Sequence, residues 1–277
     1  MRAEKCDILA GVSLSAWHTM QWTCRQFEID LSQTRIMGIV NITPDSFSDG
    51  VRCLRTEAAL SRARALAHEG ADILDLGAES TRPGATPLSW QAEWARLEPV
   101  LHILARELPT MPISIDTYHP ETAERALCLG AAILNCVYAK SVPSMLELAR
   151  KTRCGLVLPA SFLLGNRQSA DDSSSTLNSQ LVIDPMIGFG TTREEDMALL
   201  GGIRRLAQKA PVLVGVSRKR IIGMLTGAEE PTDRLGGSVG AAVWCAMNGA
   251  SVVRVHDVKD TVQALKVVTA LAKGGVA

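Results

Sequence analysis

The feature that most constrains this chain is the regular alternation of short β-branched runs with helix-like segments, from about residue 36 to its end. Each run is largely apolar and closes in polar residues, which is typical of parallel strands buried on both faces. The runs cover residues 36–42, 71–77, 112–117, 131–137, 155–159, 181–185, 211–217 and 251–256. Eight strands with helices between them predict an α/β fold, the (β/α)8 TIM barrel.

A doubly wound parallel sheet is the structural alternative. It rarely contains eight such regular units, and the chain lacks the Gly-x-Gly-x-x-Gly turn of that fold. The helices are predicted at 57–69, 89–107, 120–129, 145–152, 194–209, 234–248 and 261–273. Two of them are predicted to begin after capping side chains, Thr56 for the first and Asp260 for the last.

Two regions depart from the alternation. Residues 20–35 predict a small hairpin at the barrel floor, so 1–35 form an N-terminal extension with a hairpin and 36–277 form the barrel. Between predicted barrel strands 5 and 6, residues 169–176 read SADDSSST, without apolar periodicity. We therefore expect a mobile loop over 160–180, with the helix between these strands shortened or lacking, and apolar strand surface exposed for a partner subunit to cover.

Composition excludes several classes of protein. The chain of 277 residues has 29 basic and 29 acidic residues, so no net charge favours nucleic acid or an anionic membrane. No run of about 18 apolar residues predicts a membrane span, and acidic residues near the start disfavour a signal peptide. The seven cysteines are scattered without a Cys-x-x-Cys pair, which favours a reducing compartment, the cytoplasm.

Polar side chains close seven of the eight predicted strands. Active sites of barrel enzymes lie at the carboxyl ends of the strands, so these side chains are expected to share one mouth. One such residue alone is more often a cap, but together they indicate a polar, planar ligand with an anionic tail. The residues are Asn41, Asp75, Asp116, Asn135, Asp184, Ser217, Arg218, Lys219, Arg254 and His256.

Their chemistry narrows the ligand further. Asp116 and Asp184 accept N–H donors and Asn135 both donates and accepts, which suits the edge of an aminopyrimidinone ring. Side chains that carry positive charge or donate hydrogen bonds, close to an asparagine at a strand end, would bind a diphosphate together with a hard cation such as Mg²⁺. These groups are Lys219, Arg254, His256 and Asn41.

Two long stretches resemble the two signatures of the dihydropteroate synthase family. IMGIVNITPDSFSDG at 36–50 resembles the first, and GADILDLGAESTRPG at 70–84 resembles the second. Shorter matches are SIDTY at 114–118, DPMIGFG at 184–190, GVSRK at 215–219 and VRVHDV at 253–258. They follow the family's order over most of the chain, which is thereby identified by resemblance as a member.

The resemblance implies a transferase of folate biosynthesis with the barrel fold. It would condense 6-hydroxymethyl-7,8-dihydropterin diphosphate with 4-aminobenzoate to 7,8-dihydropteroate and pyrophosphate, with Mg²⁺ as cofactor. It also implies a homodimer that acts on small-molecule substrates, without nucleic acid or membrane as a partner. The implied catalytic residues are Asp116, Asp184, Lys219 and Arg254.

The resemblance also assigns the substrate contacts. The pterin ring would be held by Asp116, Asn135, Asp184 and Lys219, and the diphosphate with its metal by Arg254, His256 and Asn41, the implied metal ligand. Thr81, Pro83 and Ser217 would frame the aminobenzoate pocket. Loops 43–51 and 80–84, which carry Phe47 and Arg82, would close over the site.

The chain departs from the family pattern around strands 4 to 6. Cys136 stands where an aspartate usually follows Asn135, and LPASF at 158–162 replaces a stretch rich in Met and His. Met186 replaces a glycine, and Thr191 replaces a lysine. The alternative function is therefore a catalytically impaired pterin-binding paralogue or assembly partner. Pterin-dependent methyltransferases share the barrel but lack the Thr-Pro-Asp-Ser-Phe loop.

Overall fold

The computed structural model describes residues 21–42, 49–79, 86–165 and 179–274. Within them, strands and helices alternate as the sequence predicts. The strands are β1 (Gln21–Cys24), β2 (Phe27–Asp30), β3 (Arg35–Asn41), β4 (Ile73–Gly77), β5 (Ile113–Asp116), β6 (Ile133–Asn135), β7 (Gly155–Pro159), β8 (Leu181–Asp184), β9 (Leu213–Val214) and β10 (Val252–Val255). The helices are α1 (Asp49–Glu69), α2 (Trp90–Glu107), α3 (Pro120–Cys128), α4 (Val142–Thr152), α5 (Ala160–Gly165), α6 (Arg193–Gly201), α7 (Ile203–Ala207), α8 (Arg220–Thr226), α9 (Leu235–Met247) and α10 (Val258–Ala272).

Strands β3 to β10 are parallel and form the predicted barrel. Their order is β8-β7-β6-β5-β4-β3-β10-β9, so each strand after β3 except β9 pairs with the strand before it in the chain, and β10 also pairs with β3. The two ends meet through a parallel bridge between Ile183 and Val212, and Ile183 N donates to Pro211 O at 2.9 Å. This bridge closes the sheet, and the prediction of a (β/α)8 barrel is confirmed.

The strands are buried on both faces, as their continuous apolar runs predict. Every residue of β4 and of β7 is buried, because one face fills the barrel and the other is covered by helices. The helices, in contrast, are buried on one side only. Helix α2 buries Leu97, Val100 and Leu104 on one stripe and exposes its other side to solvent.

The hairpin β1–β2 lies against the amino ends of the strands, where the sequence predicts it. Trp22 and Cys24 are buried in one cluster with Ile133, Val157 and further floor residues of the barrel. A Cβ on Gly155 would stand 2.5 Å from Cys24 Sγ, so the hairpin touches the backbone of β7 directly. The hairpin therefore closes the floor; the division into 1–35 and 36–277 stays a prediction.

Three details of the helices differ from the prediction. Thr56 and Asp260 are not caps, because α1 and α10 begin earlier, at Asp49 and Val258. The helix expected over 194–209 is two helices, α6 and α7, that meet at Gly202. Glycine is a weak helix former, and Gly202 is both the C-cap of α6 and the N-cap of α7.

The segment after β7 begins with a helix where a loop is predicted. Residues 160–165 form α5, and the SADDSSST tract at 169–176 lies outside the described residues. The expected exposure of apolar strand surface is wrong for this region. Leu156, Leu158 and Leu181 are buried with Met145 of α4 and Phe162 in one cluster. The strands are thus covered from within the chain.

Among the described helices, none is both long and apolar enough to cross a membrane.

Candidate active site

The carboxyl mouth of the barrel brings the predicted polar residues together. Asp116 and Asn135 are register partners at the ends of β5 and β6, and Asp184 ends β8. Arg254 reaches the same place from β10. Because parallel strands end at one mouth, residues far apart in sequence converge there.

Arg254 is the centre of a buried charge network. Its Nε donates to Asp75 Oδ2 at 2.6 Å, and its Nη2 donates to Asp116 Oδ2 at 2.7 Å. Asn135 Nδ2 donates to the same oxygen of Asp75 at 3.3 Å. Burial opposes the charge on Arg254, but Asp75 and Asp116 more than compensate and raise its pKa, so it stays a cation.

Asp116 is poised to change charge near neutral pH. Burial raises the pKa of its carboxyl to about 7, against the attraction of Arg254 and with the repulsion of Asp75, Glu93 and Asp184. A carboxyl with such a pKa can either accept a hydrogen bond as an anion or donate one as an acid. The site therefore holds a proton-exchanging acceptor next to a fixed cation.

Two buried acceptors in this network have unused capacity. Asp75 Oδ1 and Asn135 Oδ1 have no hydrogen-bond partner among the described residues. Both side chains are almost fully buried, where an unpaired polar atom costs about 1–3 kcal/mol. Retaining them at this cost indicates that the network is kept for binding rather than for stability.

Asp184 and Lys219 form the second charged pair of the site. Burial raises the pKa of Asp184, against the opposing effect of Lys219. Burial also lowers the pKa of Lys219 to about 8, although Asp184 favours its charge. Lys219 Nζ donates to Ile187 O at 2.5 Å and lies 4.3 Å from the centre of the Phe189 ring.

The turn after β8 holds this pair through local hydrogen bonds. Asp184 Oδ1 accepts from Met186 N at 2.7 Å, and Met186 adopts φ +67°, a region that favours glycine. Asp196 Oδ1 accepts from Gly188 N at 2.8 Å and from Thr191 Oγ1 at 2.5 Å. The two departures Met186 and Thr191 thus shape the turn that carries the site.

Ser217 and His256 lie side by side at the ends of β9 and β10. Ser217 Oγ is 3.1 Å from His256 Nδ1 and accepts from His256 N at 3.2 Å. Burial, with Arg218 and Arg254 nearby, lowers the pKa of His256 to about 4. His256 is therefore a neutral hydrogen-bonding group at physiological pH, and the positive charge comes from Lys219 and Arg254.

Arg218, between Ser217 and Lys219, is held by residues outside the site. Arg218 has φ +58°, its Nε donates to Asp257 Oδ2 at 3.0 Å, and its N donates to Ser238 Oγ at 2.8 Å. This ion pair turns Arg218 away, so Ser217 and Lys219 on either side face the mouth.

Asn41 ends β3 and is exposed, unlike the buried residues of the network. In the described ranges no group of three or more His, Cys, Asp or Glu side chains could hold a metal. A cation at this mouth would take Asn41 Oδ1 as one oxygen ligand and the rest from substrate or water. Mg²⁺ commonly binds in this way.

Four residues assigned by resemblance cannot be placed. Thr81 and Pro83, and with them Phe47 and Arg82, lie outside the described residues.

Two acids of this region were missed as site residues. Asp75 was noted at a strand end but given no role, although an acid inside the otherwise apolar strand β4 is itself a signal. Glu93 is fully buried on α2. It falls on the same helical stripe as Leu97 and Leu104, a position where a charge calls for a partner.

The remaining departures are packing changes. Cys136 is 1% exposed in a cluster with Leu134 and Leu158, and burial raises the pKa of its thiol to about 11. A thiol with this pKa is a weak nucleophile. Cys136 thus fills the core between β6 and α4 as a small apolar side chain.

Comparison with known proteins gives one consistent result. The sequence profile described as "Pterin binding enzyme" matches residues 37–177 and 164–256. The dihydropteroate synthase of Neisseria meningitidis serogroup B is 41% identical over 278 residues, covering 90% of this chain and 97% of the relative. That of Escherichia coli K12 is 38% identical over 269 residues, covering 87% and 93%.

Solved structures agree. The Xanthomonas albilineans dihydropteroate synthase with 4-aminobenzoic acid superposes with a TM-score of 0.83 at 40% identity, covering 91% of this chain and 98% of that one. The same enzyme in complex with 7,8-dihydropteroate gives a TM-score of 0.77 at 36% identity, with the same coverage.

Proposed function

The chain belongs to the pterin binding enzyme family, among the dihydropteroate synthases, and from that premise we propose how its own residues carry the reaction of that family. The reaction joins 6-hydroxymethyl-7,8-dihydropterin diphosphate to 4-aminobenzoate and releases pyrophosphate. The observation that carries the assignment of roles is the convergence of Asp116, Asn135 and Asp184 at one mouth with two cations.

The pterin ring is bound by the acceptors of the network. Asn135 and Asp184 meet N–H and carbonyl groups on the ring edge, and Asp116 accepts a further N–H as an anion. The carboxylates of Asp116 and Asp184 explain why a ring rich in donors suits this mouth better than a purely anionic ligand. Lys219 supplies a donor beside Asp184.

Arg254 and His256 receive the diphosphate. Asp75 holds Arg254 by Nε even when the pterin engages Asp116, so the guanidinium stays in place with donors free for phosphate oxygens. Truncating Arg254 to alanine should weaken the diphosphate substrate far more than the bare pterin. Titration calorimetry with the two ligands measures this, and equal losses would contradict the role.

The chemistry is a substitution at the pterin methylene. The carbon–oxygen bond to diphosphate breaks first, and the positive charge left on the carbon is delocalised into the ring. Asp116 and Asp184 stabilise that charge, and the amine nitrogen of 4-aminobenzoate then bonds to the carbon and loses a proton. Preorganised charges of this kind are the largest catalytic contribution in many enzymes.

Mg²⁺ would assist at Asn41. When bound, it neutralises charge on the departing diphosphate. Chelation with EDTA should reduce pyrophosphate release and added Mg²⁺ should restore it. Thr81, Pro83 and Ser217 would frame the aminobenzoate pocket, with Ser217 already fixed by its contact to His256.

A homodimer is supported by exposed apolar side chains on α9 and α10. Trp244 of α9 is 50% exposed, and Val267 and Leu271 of α10 are 59% and 64% exposed. Exposed apolar side chains grouped on neighbouring helices are typical of subunit interfaces. Sedimentation analysis of Trp244→Glu against the parent chain tests this. A cytoplasmic location is consistent with free thiols at Cys24, Cys136, Cys154 and Cys245.

The deciding experiment is pyrophosphate release with both substrates and Mg²⁺. Turnover that requires 4-aminobenzoate supports the reaction as written. Tight pterin binding without turnover would instead support the impaired paralogue.

A further inference from the structure

One buried acid lies directly behind the site and has no role in the chemistry above. Glu93 of α2 is fully buried, and its Oε2 accepts from Thr117 Oγ1 at 2.8 Å. Thr117 follows Asp116 in the chain and is itself 3% exposed. A buried carboxylate is costly, so its presence behind a binding residue calls for an explanation.

The contact with Glu93 fixes the turn after β5. Thr117 Oγ1 donates to Glu93 and accepts from His119 N at 3.1 Å. Thr117 N donates to Asn135 O at 3.2 Å, which ties the same turn to the end of β6. The backbone on the carboxyl side of Asp116 is therefore held from two elements, and one of the two contacts depends on Glu93.

Besides Asp116, polar and charged groups from neighbouring elements face Glu93. Glu79 after β4 repels it, His119 before α3 attracts it, the Thr117 hydroxyl donates to it, and the Thr122 hydroxyl lies nearby and also favours its charge. Burial outweighs these donors and raises the pKa of Glu93. Glu93 Oε1 has no hydrogen-bond partner within the described ranges.

Glu93 also acts on Asp116 through charge. A negative Glu93 disfavours the negative form of Asp116, alongside the larger effect of burial. The same side chain thus helps to hold the Asp116 backbone and is one of several groups that make Asp116 harder to ionise.

We propose that Glu93 is a positioning residue, which fixes the turn carrying Asp116 through Thr117 and so holds Asp116 where it accepts the pterin. This inference rests on the proposed role of Asp116. Glu93 does not touch substrate and takes no part in bond making.

The test is the pH dependence of pterin binding, measured by calorimetry on the full chain. Glu93→Gln keeps an acceptor for Thr117 and removes the charge, so the pKa of Asp116 should fall. The midpoint of binding should move to lower pH by roughly one unit, with affinity on the alkaline side within about threefold of the parent. Glu107→Gln, on the exposed end of the same helix and paired with Arg64, is the matched control and should leave the midpoint unchanged.

A second pair of variants tests the Thr117 hydroxyl, which donates to Glu93 and accepts from His119 N. Thr117→Val removes the donor and should weaken pterin binding about tenfold or more, because the partner is a carboxylate. Thr117→Ser keeps the hydroxyl and should restore affinity. If Glu93→Gln shows no displaced midpoint, or Thr117→Ser fails to restore binding, Glu93 is only a structural residue.

Asp116→Asn separates this proposal from the one on which it rests. If Asp116→Asn leaves the binding profile intact, the role of Asp116 fails first. If Asp116→Asn abolishes the pH dependence of pterin binding, while Glu93→Gln shifts the midpoint no more than the control Glu107→Gln does, only the role of Glu93 is overturned.

Discussion

At the amino ends of the strands, Trp22 donates from Nε1 to Gln180 O at 2.7 Å within an apolar cluster. Gln180 in turn donates from Nε2 to Ala149 O and to Cys154 O, both at 2.9 Å. At the carboxyl ends, Asp75, Asp116 and Asp184 crowd around two cations and leave acceptors unused. At the floor of the barrel these buried polar groups are hydrogen-bonded, whereas at the mouth some buried acceptors have no hydrogen-bond partner among the described residues.

The difference shows where stability and binding reside. Floor residues contribute packing and paired hydrogen bonds, so changing them should lower stability and leave the site's intrinsic affinity intact. Mouth residues are held in states that burial disfavours, so changing them should lower affinity and can raise stability. Each of the following variants breaks or sharpens that division.

The largest effect is expected at the mouth. Asp184→Ala should abolish measurable pterin binding, a loss of at least about 100-fold, because a buried charged acceptor disappears. Calorimetry measures the affinity, with Asp260→Ala on the surface of α10 as control. Near-normal affinity in the Asp184 variant would contradict the assignment.

Trp22→Ala should have the reverse effect. The loss of a buried indole at the floor should cost about 3–5 kcal/mol of unfolding free energy in a urea titration. Pterin affinity of the folded protein should stay close to that of the parent. Trp22→Phe retains most of the packing and isolates the hydrogen bond to Gln180 O; a selective loss of affinity in either variant would break the division.

Asp116→Asn should show that a mouth residue opposes folding. The pKa of Asp116 is raised from 3.8 to about 7 in the folded chain, so the unfolded chain ionises it more easily. Stability from this group is full below pH 3.8 and is lost as the pH rises to 7. The variant should gain roughly 2–4 kcal/mol on the parent between pH 4 and pH 8. Thermal unfolding across this range measures it, and parallel curves would contradict it.

Met186→Gly should give the smallest change. Glycine relieves the positive φ of the turn after β8, so we expect a gain of up to about 1 kcal/mol in unfolding free energy. Gly188→Ala is the counterpart, because a Cβ there would stand 3.0 Å from Lys219 Cδ and strain the same turn. Loss of stability in both variants would mean that strain at Met186 is not relieved by glycine.

The sequence predicts the barrel and which residues lie at its carboxyl mouth, because both depend on local patterns. Apolar runs mark the strands, and parallel strands bring their ends together whatever the side chains do. The partners of Arg254 could not be predicted in the same way. The pairing with Asp75 joins residues 179 positions apart and depends on which neighbours leave room for the guanidinium.

Helix boundaries and buried acids show the same limit. Thr56 and Asp260 are good caps by residue type, but packing extends α1 and α10 beyond them. Glu93 is visible on its helical stripe, but nothing local shows that Thr117 is the donor that justifies its burial. Contacts between elements decide these features, and local sequence patterns do not show which elements come into contact.

The closure of the barrel at Ile183 and Val212 has a consequence for ligand binding. Asp184 directly follows Ile183, whereas Lys219 comes from the loop after β9, so the two sides of this seam each supply one charged group to the site. A ligand bound by both groups links β8 to β9, which are joined by the bridge between Ile183 and Val212, and so stabilises their pairing. Amide hydrogens along β8 and β9 should accordingly exchange with solvent more slowly once the pterin is in place, by a larger factor than those of β4.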